Sequence, residues 1–331
     1  MLAIGNLSLS SPLVLAPLAG ISDLPFRMIN RSLGCGLAFT EMISCSSLVH
    51  QSGNTLKMLS TEEGDRPLGA QILAGDPETA RRALDILVGR AFDVIDFNAA
   101  CPAGKVVSSG KGAGLLKEPA KLEQILKAVV GHGVAPVTVK IRSGWDHASV
   151  NAVETGLRAQ EAGVSGLFIH GRTRVQKYRG TVDYRVIRKV KEALAIPVIA
   201  SGDALTPTLV KKLFDETGCD GVALARGALG NPWIFRSSAE YLESGRIIPG
   251  PDVAELTGVM RVHLGLNVAF HGEKKGVMLF RKFFAWYTRG MRVKDLKGRA
   301  FRAGTQEEML RLIAELQASL PAGDSCLLSR R

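Results

Sequence analysis

Cys101 stands at the end of a short apolar segment and directly before a proline. The segment, residues 93–98, is typical of a buried β-strand, and Pro102 ends the strand because proline lacks the backbone N–H that a neighbouring strand needs. The thiol is therefore expected at the carboxyl end of a strand, where α/β proteins bind their ligands. Two interpretations are open: Cys101 is a reactive centre, or it is a small buried side chain, as free cysteines usually are.

Polar side chains end other apolar segments of the chain. Gln71, Asn98 and Lys140 together suit the edge of a heterocycle with several hydrogen-bonding atoms, such as an isoalloxazine, whose reduced form is anionic. For the lysine two alternatives remain: a Schiff-base amine, as in an aldolase, and a partner of a buried acid. The flavin ring is the interpretation that uses all three side chains.

The last two apolar segments are each followed by a short polar turn. Residues 201–203 are Ser-Gly-Asp and residues 225–227 are Ala-Arg-Gly. In (β/α)8 enzymes the backbone N–H groups after strands seven and eight commonly hold a phosphate, which Arg226 would also contact here. A phosphate site next to a flavin-ring site predicts FMN as the cofactor.

These residues can meet only if the apolar segments form one sheet. Eight such segments alternate with segments of helical period, which indicates βα units. The strands are predicted at residues 13–16, 37–40, 68–72, 94–97, 137–140, 166–170, 198–200 and 221–224, and two of the helices at 77–88 and 120–130. The predicted fold class is α/β, a closed (β/α)8 TIM barrel. A doubly wound sheet is the alternative, but no G-x-G-x-x-G follows the first strand.

After Pro232 the pattern is helical without strands. The predicted organisation is a catalytic FMN-binding barrel over residues 1–235, a smaller all-helical RNA-binding domain over 236–320, and a frayed tail over 321–331. A helix predicted over 277–287 has an apolar face formed by Val277, Phe280, Phe283, Phe284 and Tyr287.

Much of the positive charge lies near this helix. The chain has 42 basic and 31 acidic residues, a net charge of +11, and residues 272–302 hold ten basic residues against two acidic ones. This excess is larger than solubility requires and predicts nucleic acid as a partner, with a merely solvated face as the alternative. The residues predicted to contact RNA phosphates are Lys275, Arg281, Lys282 and Arg289.

The composition limits the class of protein. A chain of 331 residues with 46% hydrophobic content is globular, and no apolar run reaches the roughly 20 residues of a membrane span. The five cysteines are widely spaced without a C-x-x-C pair, so neither a disulfide framework nor a metal site is predicted. The first residues lack the basic start of a signal peptide, so a cytoplasmic protein is expected.

Several motifs follow one another in an order that resembles one enzyme family over about residues 13–287. They lie at residues 16–20, 23–27, 98–102, 105–107, 112–114, 139–145, 170–174 and 225–233. In this order and spacing they resemble the bacterial FMN-dependent tRNA-dihydrouridine synthases. The resemblance implies a monomeric enzyme that reduces the C5–C6 double bond of specific tRNA uridines, with FMN as cofactor and NADPH as electron donor.

The resemblance also implies roles for individual residues. The implied cofactor residues are Pro17, Leu18, Ala19, Gln71, Lys140, His170, Ser201, Gly202, Asp203, Ala225 and Arg226. Cys101 would donate a proton to C5 of uracil while reduced flavin gives hydride to C6, and an ordinary thiol is largely protonated at neutral pH. Asn98 and Arg179 would bind the base of a uridine extruded from the tRNA. Residues 110–114, rich in glycine, are expected to form a lid.

Four positions depart from the family pattern. Ala100 and Ala225 stand where the family has glycine, Ser201 where it often has asparagine, and Phe283 where it has histidine. Ala100 costs little unless its φ is positive, and Phe283 concerns RNA contact more than chemistry. Two other functions remain open: a flavin reductase of a free pyrimidine or enone, and an RNA-binding or tRNA-folding protein with secondary catalysis.

Overall fold

Eight parallel strands form a closed barrel in the computed structural model, which describes residues 2–320. The barrel strands are β1 Leu13–Leu15, β2 Leu37–Phe39, β3 Leu68–Leu73, β4 Val94–Asn98, β5 Val137–Arg142, β6 Gly166–His170, β7 Val198–Ser201 and β8 Gly221–Leu224. Each strand pairs with the next, and β8 pairs with β1. The predicted TIM barrel is confirmed, and the alternative of an open doubly wound sheet is wrong because the sheet closes.

Two small additions to the barrel were not visible in the sequence pattern. A two-stranded hairpin, Ala3–Ile4 with Leu7–Ser8, precedes β1, and its neighbours Leu2 and Leu9 are buried with residues of the barrel interior. A short strand, Ile43–Ser44, pairs with the end of β3. Each of these three strands is two residues long, too short for a hydrophobic period to reveal.

Helices surround the barrel. They are α1 Leu24–Arg31, α2 Cys45–Val49, α3 Gly53–Met58, α4 Pro77–Leu87, α5 Gly104–Val107, α6 Pro119–Val130, α7 Ala152–Glu161, α8 Tyr184–Ala193, α9 Pro207–Thr217 and α10 Ile234–Ser244, with 3-10 turns at Glu63–Asp65, Gly112–Lys117 and Arg226–Ala228. The two helices predicted between strands appear as α4 and α6, each within one residue of its predicted ends. Asp76 caps α4 by accepting the Thr79 backbone N–H at 2.8 Å.

Four further helices follow: α11 Val253–His271, α12 Glu273–Tyr287, α13 Lys294–Ala300 and α14 Gln306–Ser319. The apolar face predicted for residues 277–287 is buried, with all five of its side chains at most 1% exposed. Phe283 stacks on Phe26 of α1 at a ring distance of 5.6 Å. The C-terminal helices are thus packed against the helix that follows β1.

The boundary predicted between residues 235 and 236 falls inside α10. This helix follows β8 and packs against α9, as the last helix of a (β/α)8 barrel does. We therefore propose that the helical domain begins after Ser244. The tail predicted over 321–331 lies outside the described residues, and across residues 2–320 no helix is long and apolar enough to cross a membrane.

Candidate active site at the carboxyl end of the barrel

A cavity of about 390 Å³ opens at the carboxyl ends of the barrel strands. All eleven residues predicted to bind the cofactor line it, namely Pro17, Leu18, Ala19, Gln71, Lys140, His170, Ser201, Gly202, Asp203, Ala225 and Arg226. Cys101 and Asn98 line the same cavity. The sequence segments that were expected to meet at one edge of the sheet therefore do so.

Strand register explains how the polar side chains come together. Asn98 of β4 lies beside Lys140 of β5, and Arg142 of β5 lies beside His170 of β6. His170 in turn lies beside Ser201 of β7. Because neighbouring strands place paired residues side by side, four strands bring these groups to the rim at nearly one level.

Burial among cations controls the charges of the site. Burial lowers the pKa of Lys140 to about 8, although the nearby Asp96 partly opposes this, and its Nζ donates to Ser201 Oγ at 3.1 Å. Burial, followed by the charges of Arg142 and other cations, lowers the pKa of His170 to about 2. The imidazole is therefore neutral at working pH. Arg172 Nη1 lies 3.4 Å from its Nε2, and since a guanidinium can only donate, the ring proton belongs on Nδ1.

Asp203 organises the predicted phosphate site. Its carboxylate accepts hydrogen bonds from Arg172 at 3.0 Å and from Arg226 at 2.9 Å. Asp203 has a φ of +53°, and Gly202 before it has a φ of +119°. These two residues with positive φ form a tight turn after β7. The Asp203 side chain thus contributes by holding Arg226 at the rim, since a carboxylate would repel a phosphate.

The thiol loop is held from three sides. Asn98 Oδ1 accepts the backbone N–H groups of Ala100 at 3.0 Å and Cys101 at 2.9 Å. Arg142 Nε donates to the Ala100 carbonyl at 2.8 Å, and the Ala113 N–H donates to the Cys101 carbonyl at 3.1 Å. Ala100 is not among the described non-glycine residues with positive φ. Its replacement of a glycine therefore introduces no backbone strain.

Part of the segment expected to act as a lid is packed against the thiol loop. Gly112, Ala113 and Gly114 are buried and belong to a 3-10 turn. A Cβ on Gly112 would lie 2.9 Å from the Cys101 carbonyl oxygen, and its φ is +56°. Gly112 thus packs closely against the Cys101 loop, and closure of residues 110–114 over bound RNA stays a prediction.

Cys101 differs from the other cysteines of the described residues. Cys35, Cys45 and Cys219 are buried, whereas Cys101 is partly exposed. Burial raises the pKa of Cys35 to about 11 and that of Cys45 to about 12, and it also raises the pKa of Cys219. The alternative of an inert buried side chain therefore suits those three cysteines and not Cys101.

Comparison with known proteins identifies the family. A family model described as dihydrouridine synthase matches residues 14–320. The chain belongs to the dihydrouridine synthase family. It is 39% identical over 286 residues to tRNA-dihydrouridine synthase B of Pseudomonas putida, and this alignment covers 86% of this chain and 84% of the Pseudomonas enzyme. It is 36% identical over 321 residues to the enzyme of the same name from Xanthomonas campestris, which covers 97% of each chain.

A solved structure shares the fold of this dihydrouridine synthase family member. It is histamine dehydrogenase from Rhizobium sp. 4-9, with a TM-score of 0.57 and 12% sequence identity. The match covers 80% of this chain but only 50% of that one. At this identity the likeness extends to the fold alone.

The basic residues predicted to contact RNA fall into two groups in this dihydrouridine synthase family member. Lys275 and Arg289 are exposed. Arg281 instead donates twice to the Ala303 carbonyl, at 3.1 and 2.7 Å, and Lys282 donates to the carbonyl of Gly20 in the loop after β1. The four basic residues predicted to contact RNA are therefore divided, because tertiary packing brings backbone carbonyls to Arg281 and Lys282.

The structure also shows where Arg179 and Phe283 lie. Arg179 is exposed, does not line the cavity, and contributes its backbone carbonyl to Arg172 at 3.1 Å. Phe283 is buried between Phe26 and His263, whose ring lies 4.3 Å away. Phe283, which stands where the family has histidine, thus lies in the core between the barrel and the C-terminal helices rather than on a surface that could contact RNA.

The sequence reasoning assigned no role to three residues at the site, although it placed one of them, Arg142, at the end of its strand. Arg142 and Tyr178 line the cavity, and Tyr178 is 57% exposed with Arg226 5.2 Å from its ring centre. Asp96 lies beneath the cavity, fully buried. Two of them carried a signal, because Arg142 follows Lys140 by two residues and Asp96 precedes Asn98 by two, so each shares a strand face with a residue that was predicted.

The difference in exposure predicts selective alkylation. In the folded protein, iodoacetamide should modify Cys101 at least about tenfold faster than Cys35, Cys45 or Cys219, since burial both restricts access to those three thiols and raises their pKa values. Peptide mass spectrometry over a time course measures each rate. The Cys101→Ala variant serves as the control, and equal rates at Cys101 and Cys45 would contradict the arrangement.

Proposed function

We propose that this chain reduces the C5–C6 double bond of uridines in tRNA to 5,6-dihydrouridine, using FMN that NADPH reduces. The curated relatives named tRNA-dihydrouridine synthase B support the substrate. The observation that carries the proposal is a partly exposed thiol on the wall of a largely apolar cavity whose polar lining includes three cations, Lys140, Arg142 and Arg226, and two amides, Gln71 and Asn98.

The donor set of the cavity fits FMN. Lys140, Arg142 and Arg226 face the cavity against one acid, Asp203, which suits a ligand with an anionic ring and a phosphate. Lys140 gives one of its three N–H groups to Ser201 and keeps the others for a ligand. The turns after β7 and β8, with Arg226, lie where this fold commonly binds phosphate. Ring and phosphate thus have separate places along one wall.

The residues of the chain supply the proton and the orientation. Bound reduced FMN supplies hydride to C6 of uracil. Cys101 gives its proton to C5, which leaves a thiolate that solvent reprotonates. The amide of Asn98 retains one N–H for the base, because its oxygen already holds the Cys101 loop and its other N–H is bound to Gln71.

The tRNA would lie across the cavity mouth and the exposed basic residues of α12 and the turn after it. Lys275 lies at the start of α12 and Arg289 just beyond its end, roughly 20 Å apart at the rise of an α-helix. That distance spans several phosphates of an RNA backbone. A reductase of a free pyrimidine or enone has no use for this surface, which favours a nucleic-acid substrate.

Replacement of the thiol tests the chemical role. Cys101→Ala should lower dihydrouridine formation by about 100-fold or more, because general acid catalysis contributes about 10² to 10⁴. Flavin absorbance and tRNA affinity should stay near wild type. Mass spectrometry of nucleosides from tRNA treated with NADPH and enzyme measures the product, and Cys219→Ala is the matched control. Full activity of Cys101→Ala would disprove the acid role.

The ionisation of Lys140 predicts a pH dependence of FMN binding. Because the Lys140 ammonium is lost as pH rises through about 8, the dissociation constant of FMN should rise between pH 7 and 9, at most about tenfold per pH unit. Quenching of flavin fluorescence measures it. Lys140→Met should bind FMN more weakly and lose this dependence. A flat wild-type curve, or the same slope in the variant, would contradict a role for the ammonium.

The salt dependence of tRNA binding tests the basic surface. In Lys275→Ala/Arg289→Ala the slope of log K against log salt should become shallower by about 1.4 to 1.8, since each lost phosphate contact contributes about 0.7 to 0.9. Filter binding at several salt concentrations measures the slope. Lys212→Ala, on the outer helix α9 and ion-paired to Glu216, is the control. An unchanged slope in the double variant would place the RNA elsewhere.

A further inference from the structure

Asp96 is a carboxylate in the middle of β4 that the proposed chemistry does not use. Its side chain is 1% exposed and lies beneath the cavity rather than in its wall. Thr138 Oγ1 donates to Asp96 Oδ1 at 2.7 Å, and Gln71 Nε2 donates to Asp96 Oδ2 at 2.7 Å. Burial raises the pKa of Asp96 to about 6, so the group is ionised at neutral pH and can only accept.

The Gln71 amide links Asp96 to Asn98, which is closer to the rim of the barrel. Because a carboxylate accepts and does not donate, the Nε2 side of Gln71 must face Asp96. The Oε1 side then faces Asn98, whose Nδ2 donates to it at 2.8 Å. The direction of the Gln71 amide is thus fixed by chemistry, without regard to how similar nitrogen and oxygen are in shape.

The Asn98 amide connects Gln71 to the thiol loop. With Nδ2 of Asn98 committed to Gln71, its Oδ1 faces the backbone N–H groups of Ala100 and Cys101 and accepts from both, at 3.0 and 2.9 Å. Backbone N–H groups can only donate, so the thiol loop requires the Asn98 oxygen to face it. This requirement gives the two amides the same orientation that Asp96 gives them. Turning either amide over would place two donors or two acceptors together at one or more links.

We propose that Asp96 is a positioning residue that holds the Cys101 loop in place through a directional relay of two side-chain amides, Gln71 and Asn98. The catalytic importance of the Cys101 position rests on the proposed function, but the hydrogen bonds of the relay are present in the protein without ligand. A loop shifted by about 1 Å can lower a rate by about 100-fold. The relay therefore links a buried acid beneath the cavity to proton delivery at its rim.

Lys140 offers a competing explanation for the acid. The ammonium is close enough that each charge shifts the pKa of the other, so Asp96 could serve as a counter-charge to the lysine. The two explanations differ in what they need. The relay needs a hydrogen-bond acceptor facing Gln71, whereas the counter-charge needs the negative charge itself.

Substitutions at Asp96 separate these explanations. Asp96→Asn keeps an acceptor for Gln71 while its amide N–H faces Thr138, whose hydroxyl can also accept. Asp96→Ala removes the acceptor. Thr138→Val removes the other partner of Asp96 and leaves the relay whole, so it is the matched control. All are made in full-length protein with Cys326→Ser, so that the alkylation rate reports on Cys101.

Two measurements are made on each variant. The rate of Cys101 alkylation by iodoacetamide is followed by peptide mass spectrometry, with and without added FMN, so that lost cofactor is distinguished from a loosened loop. The kcat and KM for reduction of a tRNA transcript are measured separately. Thermal unfolding verifies that each variant is folded.

The relay predicts a specific pattern. Asp96→Ala should change the alkylation rate at least about threefold both with and without FMN, and lower kcat about tenfold or more with a smaller change in KM. Asp96→Asn and Thr138→Val should stay within about threefold of wild type in both measurements. If Asp96→Ala does not fold, Gln71→Met breaks the relay at its centre and should change the alkylation rate in the same way.

Two results would overturn the proposal. One is an alkylation rate that stays at the wild-type value in Asp96→Ala, or in Gln71→Met if that variant is used. The other is Asp96→Asn as impaired as Asp96→Ala, which would show that charge rather than direction matters. If wild-type enzyme forms no dihydrouridine, the proposed function fails, while the alkylation rates still decide the relay.

Discussion

Closure of the barrel is the constraint on which the site depends. The register between β8 and β1 pairs Leu224 with Leu15, and the Ala16 N–H donates to the Leu224 carbonyl at 2.8 Å. This pairing brings the turn after residue 224 beside the loop that begins at residue 16. Residues more than 200 positions apart in the sequence thus line one cavity. Without closure, the ring-edge groups of β3 to β5 and the turns after β7 and β8 would have no common ligand.

The cavity concentrates positive charge that the protein only partly neutralises. Asp203 pairs with Arg172 and Arg226, and Asp96 lies near Lys140. Burial, followed by the charges of Arg142 and the other cations of the site, lowers the pKa of His170 and keeps its ring neutral. A site of this kind attracts an anionic ligand before contact and stabilises it after binding.

The basic residues of the C-terminal helices differ in what they contact. Lys282 and Arg281 bind backbone carbonyls, and Lys282 reaches the loop after β1 that lines the cavity. Lys275 and Arg289 remain exposed. Packing of Phe283 on Phe26 holds α12 against the barrel, so the exposed residues have a fixed position relative to the cavity mouth. A fixed spacing between a basic surface and a thiol suits a substrate that must be held in one place and modified in another.

The sequence by itself determined the eight barrel strands, the buried face of α12, and the eleven cavity residues implied by family resemblance, because hydrophobic period and motif order are local or linear properties. Tertiary structure decided how the polar groups are paired. The direction of the Gln71 amide on β3 depends on Asp96 and Asn98 of β4, which lie 25 and 27 residues further along the chain. Gly112 and Ala113, within a glycine-rich segment, contact the Cys101 loop. The four basic residues predicted to contact RNA are divided because the carbonyls of Gly20 and Ala303 accept hydrogen bonds from Lys282 and Arg281.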